Sequence, residues 1–218
     1  MNNTIGAIFD MDGVIVHSNP VHKETIKDFC KKHNQQVTDS FLEERVWGRT
    51  NKEWIPEVFG KITIEQSERL GDEKEQMFRD RFDPKSSAIP GITEFLDKLK
   101  NRDVATAVAT SAPGENAEFI LSELGIKDYF SAILDSSDVD KGKPEPQVYI
   151  KAAERLSLPP SKCIVFEDSL AGVEAGVRAG SKVVGISSTH SAEELSKCSK
   201  VIKDFTGLAV DELYVLIG

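Results

Sequence analysis

The sequence predicts an α/β fold: a Rossmann-like parallel β-sheet flanked by helices, with an all-helical cap domain inserted after the first strand. Short runs rich in β-branched residues alternate with amphipathic helical patterns, which is typical of successive βαβ units. One long interval, from about Asn19 to Lys85, contains only helical patterns and turn signals. We therefore predict a core domain formed by residues 1–17 and 89–218 and a cap domain formed by residues 18–88.

Six segments have the composition and length of buried strands. In chain order they are residues 5–10, 104–110, 131–136, 163–168, 182–187 and 200–205. Between them, apolar side chains recur at helical spacing from Ile92 to Leu99 and from Ala117 to Leu124, and Gly125 ends the second of these segments. These patterns predict helices that pack on the faces of the sheet.

The predicted cap contains two matches to the capping box that starts helices. Ser40-x-x-Glu43 and Thr50-x-x-Glu53 each place a glutamate three residues after a hydroxyl side chain. A strongly charged segment then predicts a long helix over residues 64–82. An insert built only from helices is the simplest interpretation of this region.

Composition and charge restrict the partners of this chain. With 218 residues, of which 39% are hydrophobic and 29% charged, it is long enough to bury one large core and a smaller second one. The net charge of −9 opposes binding to a phosphate backbone, so no nucleic-acid partner is predicted. An anionic substrate must therefore meet a local positive site.

Cysteine usage and hydropathy indicate the compartment. Cys30, Cys163 and Cys198 are far apart and show no C-x-x-C spacing, so neither a disulfide framework nor a zinc site is predicted. No segment has the length of a membrane span, and no basic region precedes a long apolar stretch near residue 1. We expect a cytoplasmic monomer with no membrane partner.

Four acidic residues follow predicted strands. Asp10 and Asp12 end the first strand, and Glu167 and Asp168 end the strand at 163–168. The carboxyl ends of parallel strands meet at the edge of the sheet where ligands bind. Residues i and i+2 of an extended segment point to the same side, so the first two carboxylates would repel each other. Mg²⁺ prefers oxygen ligands and would neutralise this repulsion, so a magnesium site is predicted.

Four short motifs occur in order along the chain. They are "DMDGV" at 10–14, "VATS" at 108–111, "GKPEP" at 142–146 and "FEDSLAG" at 166–172. Their order and spacing, with a helical segment after the first, resemble the haloacid dehalogenase superfamily of phosphohydrolases, and within it the β-phosphoglucomutase-like branch. The resemblance implies a Mg²⁺-dependent enzyme that transfers phosphoryl groups from small phosphorylated metabolites.

The resemblance implies how the acidic residues divide the chemistry. Asp10 is similar to the family's nucleophile, which attacks phosphorus and forms an aspartyl phosphate. Asp10, the backbone carbonyl of Asp12 and the side chain of Asp168 would hold Mg²⁺. Glu167 would be either a further metal ligand or a hydrogen-bond acceptor beside the metal.

Asp12 is similar to the family's general acid and base. It would protonate the leaving oxygen and then deprotonate the incoming water or hydroxyl, and we predict that neighbouring carboxylates raise its pKa. The carbon–halogen hydrolases of the superfamily lack this second aspartate, so dehalogenation is disfavoured.

The resemblance also implies phosphate-binding residues in the core. The Thr110 hydroxyl and the backbone N–H groups of Ser111 and Ala112 would donate hydrogen bonds to phosphoryl oxygens. Lys143 would supply a fixed positive charge where negative charge accumulates in the transition state.

Three cap residues are further candidates for substrate binding. His22 stands where relatives have a hinge histidine, with a surface or helix-capping histidine as the alternative. In "GRTNKE" at 48–53, Asn51 replaces the arginine of a G-x-S-R loop with which the resembling mutases bind a second phosphate. Lys52 lacks the bidentate fork of arginine, and Arg49 is two residues out of register, so hydrolysis is predicted over mutase chemistry.

Two other functions are kept as alternatives. A β-phosphoglucomutase-like sugar phosphomutase is the runner-up. A phosphoacceptor signalling module would also cluster aspartates, a hydroxyl residue and a lysine around Mg²⁺, but its phosphorylated aspartate ends the third strand. In this chain the candidate nucleophile, Asp10, follows the first strand, so the phosphatase is the main prediction.

Overall fold

The structure, a computed structural model that describes residues 4–47 and 49–218, confirms the predicted fold class. Its strands are β1 (Gly6–Phe9), β2 (Ala105–Ala109), β3 (Ala132–Leu134), β4 (Cys163–Glu167), β5 (Lys182–Ile186) and β6 (Lys200–Ile202). They form one parallel sheet in the order β3-β2-β1-β4-β5-β6. Each strand lies within one of the six predicted segments, and β1 is at the centre of the sheet.

Nine α-helices fall within the described residues. They are α1 (Asn19–Lys32), α2 (Asp39–Arg45), α3 (Asn51–Phe59), α4 (Ile64–Arg79), α5 (Ile92–Lys100), α6 (Gly114–Glu123), α7 (Gln147–Arg155), α8 (Leu170–Ala179) and α9 (Val210–Ile217). In the part of the chain that is described, α1–α4 follow β1 without an intervening strand, as predicted, and we call these four helices the helical cap. None of the described helices combines the length and apolarity needed to cross a membrane.

The side chains of β1 alternate between two hydrophobic layers, one on each face of the sheet. Phe9 packs against Phe95 of α5 and against Phe166, whose ring is stacked on that of Phe9 at a centroid distance of 4.6 Å. Ile8 belongs to the opposite layer, together with Tyr149 of α7. A fully buried side chain of this size contributes about 1.5–3 kcal/mol to stability. This double packing fixes the end of β1, and with it the residues that follow.

The helical cap has a hydrophobic core of its own. Ile26 and Phe29 of α1 pack with Trp54 and Ile55 of α3, and each of the four side chains is at most 1% exposed. The buried residues of this cluster are distinct from those of the two layers on the sheet. Part of the cap's packing is therefore internal, whereas Phe78 of α4 belongs to a layer on the sheet.

The two linkers between the cap and the core are hydrogen-bonded to each other. The His17 backbone N–H donates to the carbonyl of Ser87 over 2.7 Å. The Ile89 N–H donates to the carbonyl of Ile15 over 2.9 Å. Both ends of the inserted helices are thus held together beside the sheet.

The start of α2 differs from the prediction, whereas the start of α3 agrees with it. Thr38, not Ser40, caps α2, because its backbone is extended and its hydroxyl accepts a hydrogen bond from the Phe41 N–H over 3.2 Å. The helix consequently begins two residues earlier than predicted. At α3 the glutamate half of the predicted capping box forms, since Glu53 Oε2 accepts hydrogen bonds from the Thr50 N–H over 2.8 Å and from the Thr50 hydroxyl over 3.0 Å.

Candidate active site

The carboxyl edge of the sheet brings the predicted strand-end residues together. Asp10 and Thr110 directly follow β1 and β2, and Glu167 ends β4. Phe9 of β1 is level with Phe166 of β4, and the Asp10 N–H donates to the Phe166 carbonyl over 3.0 Å. The ladder therefore holds Asp10 and Glu167 side by side.

Lys143 joins these two carboxylates. Its Nζ lies 2.7 Å from Asp10 Oδ1 and 2.7 Å from Glu167 Oε1, and it also donates to the Ala109 carbonyl over 3.3 Å. The side chains of Lys143 and Glu167 are at most 2% exposed. Burial disfavours the ammonium, but Asp10 and Glu167 outweigh this effect and raise the pKa of Lys143. Lys143 is therefore a fixed cation between two acids.

Glu167 is held by hydrogen bonds on both oxygens. Its Oε1 accepts from Lys143 and from the Tyr149 hydroxyl, the latter over 2.7 Å. Its Oε2 accepts from the N–H groups of Asp168 and Ser169, each over 2.9 Å, and from the Ser169 hydroxyl over 3.0 Å. Burial opposes ionisation, but Lys143 and the hydrogen bonds keep the pKa of Glu167 below its usual value.

Three carboxylates form a cluster suited to a cation. Asp10, Glu167 and Asp168 each offer an oxygen, and these oxygens lie within 4.8 Å of one another. Burial raises the pKa of Asp10 to about 7 against the attraction of Lys143. Burial, followed by Glu167 and Asp10, raises the pKa of Asp168 well above its usual value. A buried, mutually repelling set of oxygen donors fits Mg²⁺, which would relieve both burial and repulsion.

Gly13 and two polar residues surround Asp168. Gly13 has a φ of +79°, and a Cβ atom there would lie 1.9 Å from Asp168 Oδ2, so only glycine allows this approach. The same oxygen accepts hydrogen bonds from the Thr189 hydroxyl and from Asn19 Nδ2, the latter over 3.1 Å. Asn19 Nδ2 also donates to Thr189 Oγ1 over 2.8 Å. These contacts orient the carboxylate.

The Asp12 side chain faces the cap. Its Oδ1 accepts a hydrogen bond from the Ser18 hydroxyl and lies 3.3 Å from Nε2 of His22, whose ring is stacked on Phe78 at a centroid distance of 3.7 Å. Burial opposes ionisation, but His22 and Ser18 outweigh it and lower the pKa of Asp12. The prediction that neighbouring carboxylates raise this pKa is wrong, because the neighbours that act on Asp12 are His22 and Ser18, which favour its ionised form.

A cavity separates the sheet edge from the cap. The core residues on its lining include Asp10, Asp12, Thr110, Ser111, Ala112, Lys143 and Asp168. The cap residues on its lining include His22, Trp47, Arg49, Asn51, Trp54, Lys74 and Glu75. In the described structure, Thr110 Oγ1 accepts a hydrogen bond from the Ala112 N–H over 3.0 Å. The cavity thus brings the phosphate-binding candidates of the core together with His22 and Arg49 of the cap.

The three cap candidates differ in position. His22 and Arg49 line the cavity, but the exposed Lys52 is not among its described lining residues. Arg49 Nη1 donates to Glu57 Oε1 and to the Arg45 carbonyl, each over 2.9 Å. Lys52 therefore does not join the site in this arrangement, because its side chain leaves α3 on the solvent side.

Sequence reasoning missed several residues of the site. Thr189 lies in the loop after β5, so the rule that ligands bind beyond strand ends could have identified it. Tyr149 contacts Glu167 from α7, and its apolar surroundings resemble ordinary core packing. Lys74 and Glu75 lie on a strongly charged helix, where adjacent opposite charges usually indicate a solvated face.

Comparison with known proteins agrees with this geometry. The family model described as haloacid dehalogenase-like hydrolase matches residues 6–180. A phosphorylated carbohydrates phosphatase of Thermotoga maritima is 32% identical, over 86% of this chain and 86% of its own. The beta-phosphoglucomutase of Bacillus subtilis is 33% identical, over 82% of this chain and 81% of its own.

A solved structure has the same fold. The HAD hydrolase of family IA, variant 3, from Entamoeba histolytica aligns with a TM-score of 0.87 at 26% identity, covering 98% of this chain and 99% of that one. The family match spans β1 to β4, the inserted helices and all four motifs. This chain therefore belongs to the haloacid dehalogenase-like hydrolases.

Proposed function

We propose that this protein is a Mg²⁺-dependent phosphatase that hydrolyses small phosphorylated metabolites of the sugar-phosphate type through an aspartyl phosphate on Asp10. The observation that carries the proposal is the buried Lys143 ammonium, 2.7 Å from Asp10, beside a carboxylate cluster that fits Mg²⁺. The division into a core and a cap at residues 18 and 88 belongs to the proposal and is supported by the separate cap core.

The metal would be held by Asp10, Asp168 and the backbone carbonyl of Asp12. When bound, the ion supplies Lewis-acid polarisation of the phosphoryl oxygens and offsets the carboxylate charges. We assign Glu167 to positioning, because five hydrogen bonds already occupy its two oxygens. It fixes the Lys143 ammonium and the turn that presents Asp168.

The reaction has two steps on the same phosphorus. In the first, an Asp10 carboxylate oxygen attacks phosphorus, the bond to the leaving oxygen breaks, and that oxygen takes the proton of the Asp12 carboxyl. Because His22 and Ser18 lower the pKa of Asp12, this carboxyl must be protonated when the substrate binds, and the second step restores its proton for the next turnover. In the second, Asp12 takes a proton from water, the water oxygen attacks the same phosphorus, and the bond to Asp10 breaks. Lys143 and Thr110 would hold the phosphoryl oxygens in both steps. Ser18 and His22 orient the Asp12 carboxylate.

Removal of the metal tests the proposal directly. We expect p-nitrophenyl phosphate to be hydrolysed with Mg²⁺, and the rate to fall by more than about 100-fold with excess EDTA, since metal stabilisation is worth several kcal/mol. Adding back Mg²⁺ should restore the rate. An unchanged rate in EDTA contradicts the metal requirement. No hydrolysis of this substrate or of a panel of phosphometabolites would favour the phosphoacceptor alternative.

The second candidate function is a sugar phosphomutase, which the similarity to beta-phosphoglucomutase favours. Such an enzyme must bind the phosphate that is not being transferred. Asn51, at the position of the mutase arginine, makes its hydrogen bonds inside the cap. Its Nδ2 donates to Glu75 over 2.8 Å, and its Oδ1 accepts from Trp54 Nε1 over 3.1 Å. Arg49 is bonded to Glu57. Hydrolysis is therefore the better supported activity.

One assay separates the two activities. β-Glucose 1-phosphate is supplied with catalytic β-glucose 1,6-bisphosphate, and glucose 6-phosphate and free phosphate are measured together. We expect phosphate release from simple monophosphates that does not depend on the bisphosphate, because Asn51 stands at the sequence position of the mutase arginine. Rapid isomerisation with negligible phosphate release would reject hydrolysis as the main activity and promote the mutase.

A further inference from the structure

Glu75 is a buried carboxylate in the cap wall of the cavity. It is 3% exposed, its neighbour Lys74 is 4% exposed, and both line the cavity. Its Oε1 accepts hydrogen bonds from Lys74 Nζ over 2.5 Å and from Asn51 Nδ2 over 2.8 Å. Its Oε2 accepts one from Asn116 Nδ2 of α6 over 2.8 Å. Glu75 therefore links two cap helices to the core at the wall of the cavity.

Glu75 is ionised and neutralises Lys74. Burial opposes ionisation, but Lys74, His22 and the hydrogen bonds outweigh it and keep the pKa of Glu75 below its usual value. Among the described cap residues that line the cavity, Arg49 is the other lysine or arginine, and its charge is neutralised by an ion pair with Glu57. The part of the cavity that would receive the leaving group consequently has little net charge.

We propose that Glu75 determines specificity by pairing with Lys74. The pairing neutralises the positive charge that a second anionic group of a substrate would need. The site thereby selects phosphomonoesters with an uncharged leaving group such as a polyol. The inference rests on the proposed phosphatase function and deepens it by naming the leaving-group class. A second carboxylate or phosphate would meet an ammonium that is already paired and a carboxylate that repels it. Specificity built on such repulsion needs no additional contact with the favoured substrate.

Two matched ligands test the inference by binding. Glycerol 3-phosphate and 3-phosphoglycerate share a phosphate and differ by one carboxylate. Their dissociation constants are measured by titration calorimetry with Mg²⁺ in an Asp10→Asn background, which prevents turnover. Adding Glu75→Gln should shift the affinity ratio toward 3-phosphoglycerate by about tenfold or more, because Lys74 then offers a charge-assisted hydrogen bond. Adding Lys74→Gln should shift the ratio the opposite way, because the Glu75 carboxylate then repels the ligand.

Control variants separate selectivity from a structural role. Glu73→Gln removes the same charge from α4, but Glu73 pairs with Lys32 and His33 at the surface, so the ratio should not change. If Glu75 only clamps α4 to α6, then Glu75→Gln and Asn116→Ala weaken both ligands equally, and the inference is overturned. If Glu75→Gln does not fold, the shift of the affinity ratio in Lys74→Gln tests the inference instead.

Binding of inorganic phosphate tests the core site alone. Failure to bind phosphate overturns the proposed function and this inference together. Phosphate binding with an unchanged affinity ratio overturns only this inference.

Discussion

Replacement of Asp10 by asparagine is expected to abolish phosphoenzyme formation and phosphate release together. Asp10 and Glu167 both contact Lys143 and belong to the carboxylate cluster, but five hydrogen bonds occupy the two oxygens of Glu167. Asp10 is therefore the nucleophile candidate, and an amide cannot replace the carboxylate that attacks phosphorus. Loss of a nucleophile leaves only background catalysis, so we expect kcat to fall by at least about 10⁴-fold. The phosphoenzyme is measured by mass spectrometry of acid-quenched enzyme, and phosphate release is measured in parallel.

A matched control distinguishes loss of chemistry from loss of folding. Asp103 lies in the turn before β2 with a φ of 52°, a conformation that asparagine adopts readily. Asp103→Asn should therefore keep the wild-type rate within about twofold, as expected for a substitution far from the site. Thermal unfolding of both variants verifies that they are folded. A phosphoenzyme that still forms in Asp10→Asn would place the nucleophile elsewhere.

Replacement of Asp12 by asparagine is expected to reduce kcat strongly while leaving Mg²⁺ binding largely intact. The Asp12 side chain is hydrogen-bonded to Ser18 and lies beside His22, outside the group formed by the three clustered carboxylates. Loss of a general acid and base costs about 10²–10⁴-fold in rate. The proposed metal contact of Asp12 is its backbone carbonyl, which the substitution retains. Mg²⁺ affinity is measured by titration calorimetry without substrate.

Asp168→Asn is the comparison for this second experiment. It alters a carboxylate within the cluster, so we expect it to weaken Mg²⁺ binding as well as turnover. Equal loss of Mg²⁺ affinity in Asp12→Asn and Asp168→Asn would show that the Asp12 side chain is itself a ligand. The acid and base assignment would then be wrong.

The strands and the residues at their ends could be predicted because their signals are local. β1, for example, is a short apolar run that stops at two aspartates, and the parallel arrangement then places Asp10 beside Glu167. The environment of Asp12 could not be predicted in this way. Its neighbours are set by the turn after Phe9 and by the start of α1, so an argument from strand geometry gave the wrong direction for its pKa.

The cap wall of the cavity was the least predictable part. Lys74 and Glu75 have the local pattern of a solvated helix surface, and the packing of α4 against α1, α3 and α6 makes them buried. The charged segment predicts the existence of α4, which Thr63 caps in the structure, but it does not predict where the charged side chains of the helix point. That direction depends on contacts between residues distant in sequence, such as Glu75 and Asn116.

The hydrogen bonds between the two linkers bear on how such an enzyme changes its substrate in evolution. Because the His17 N–H donates a hydrogen bond to the Ser87 carbonyl, the chain leaves the core and returns to it at the same place. A lineage could therefore lengthen, trim or exchange the inserted helices, and inherit a new leaving-group preference, while Asp10 and Lys143 stay unchanged.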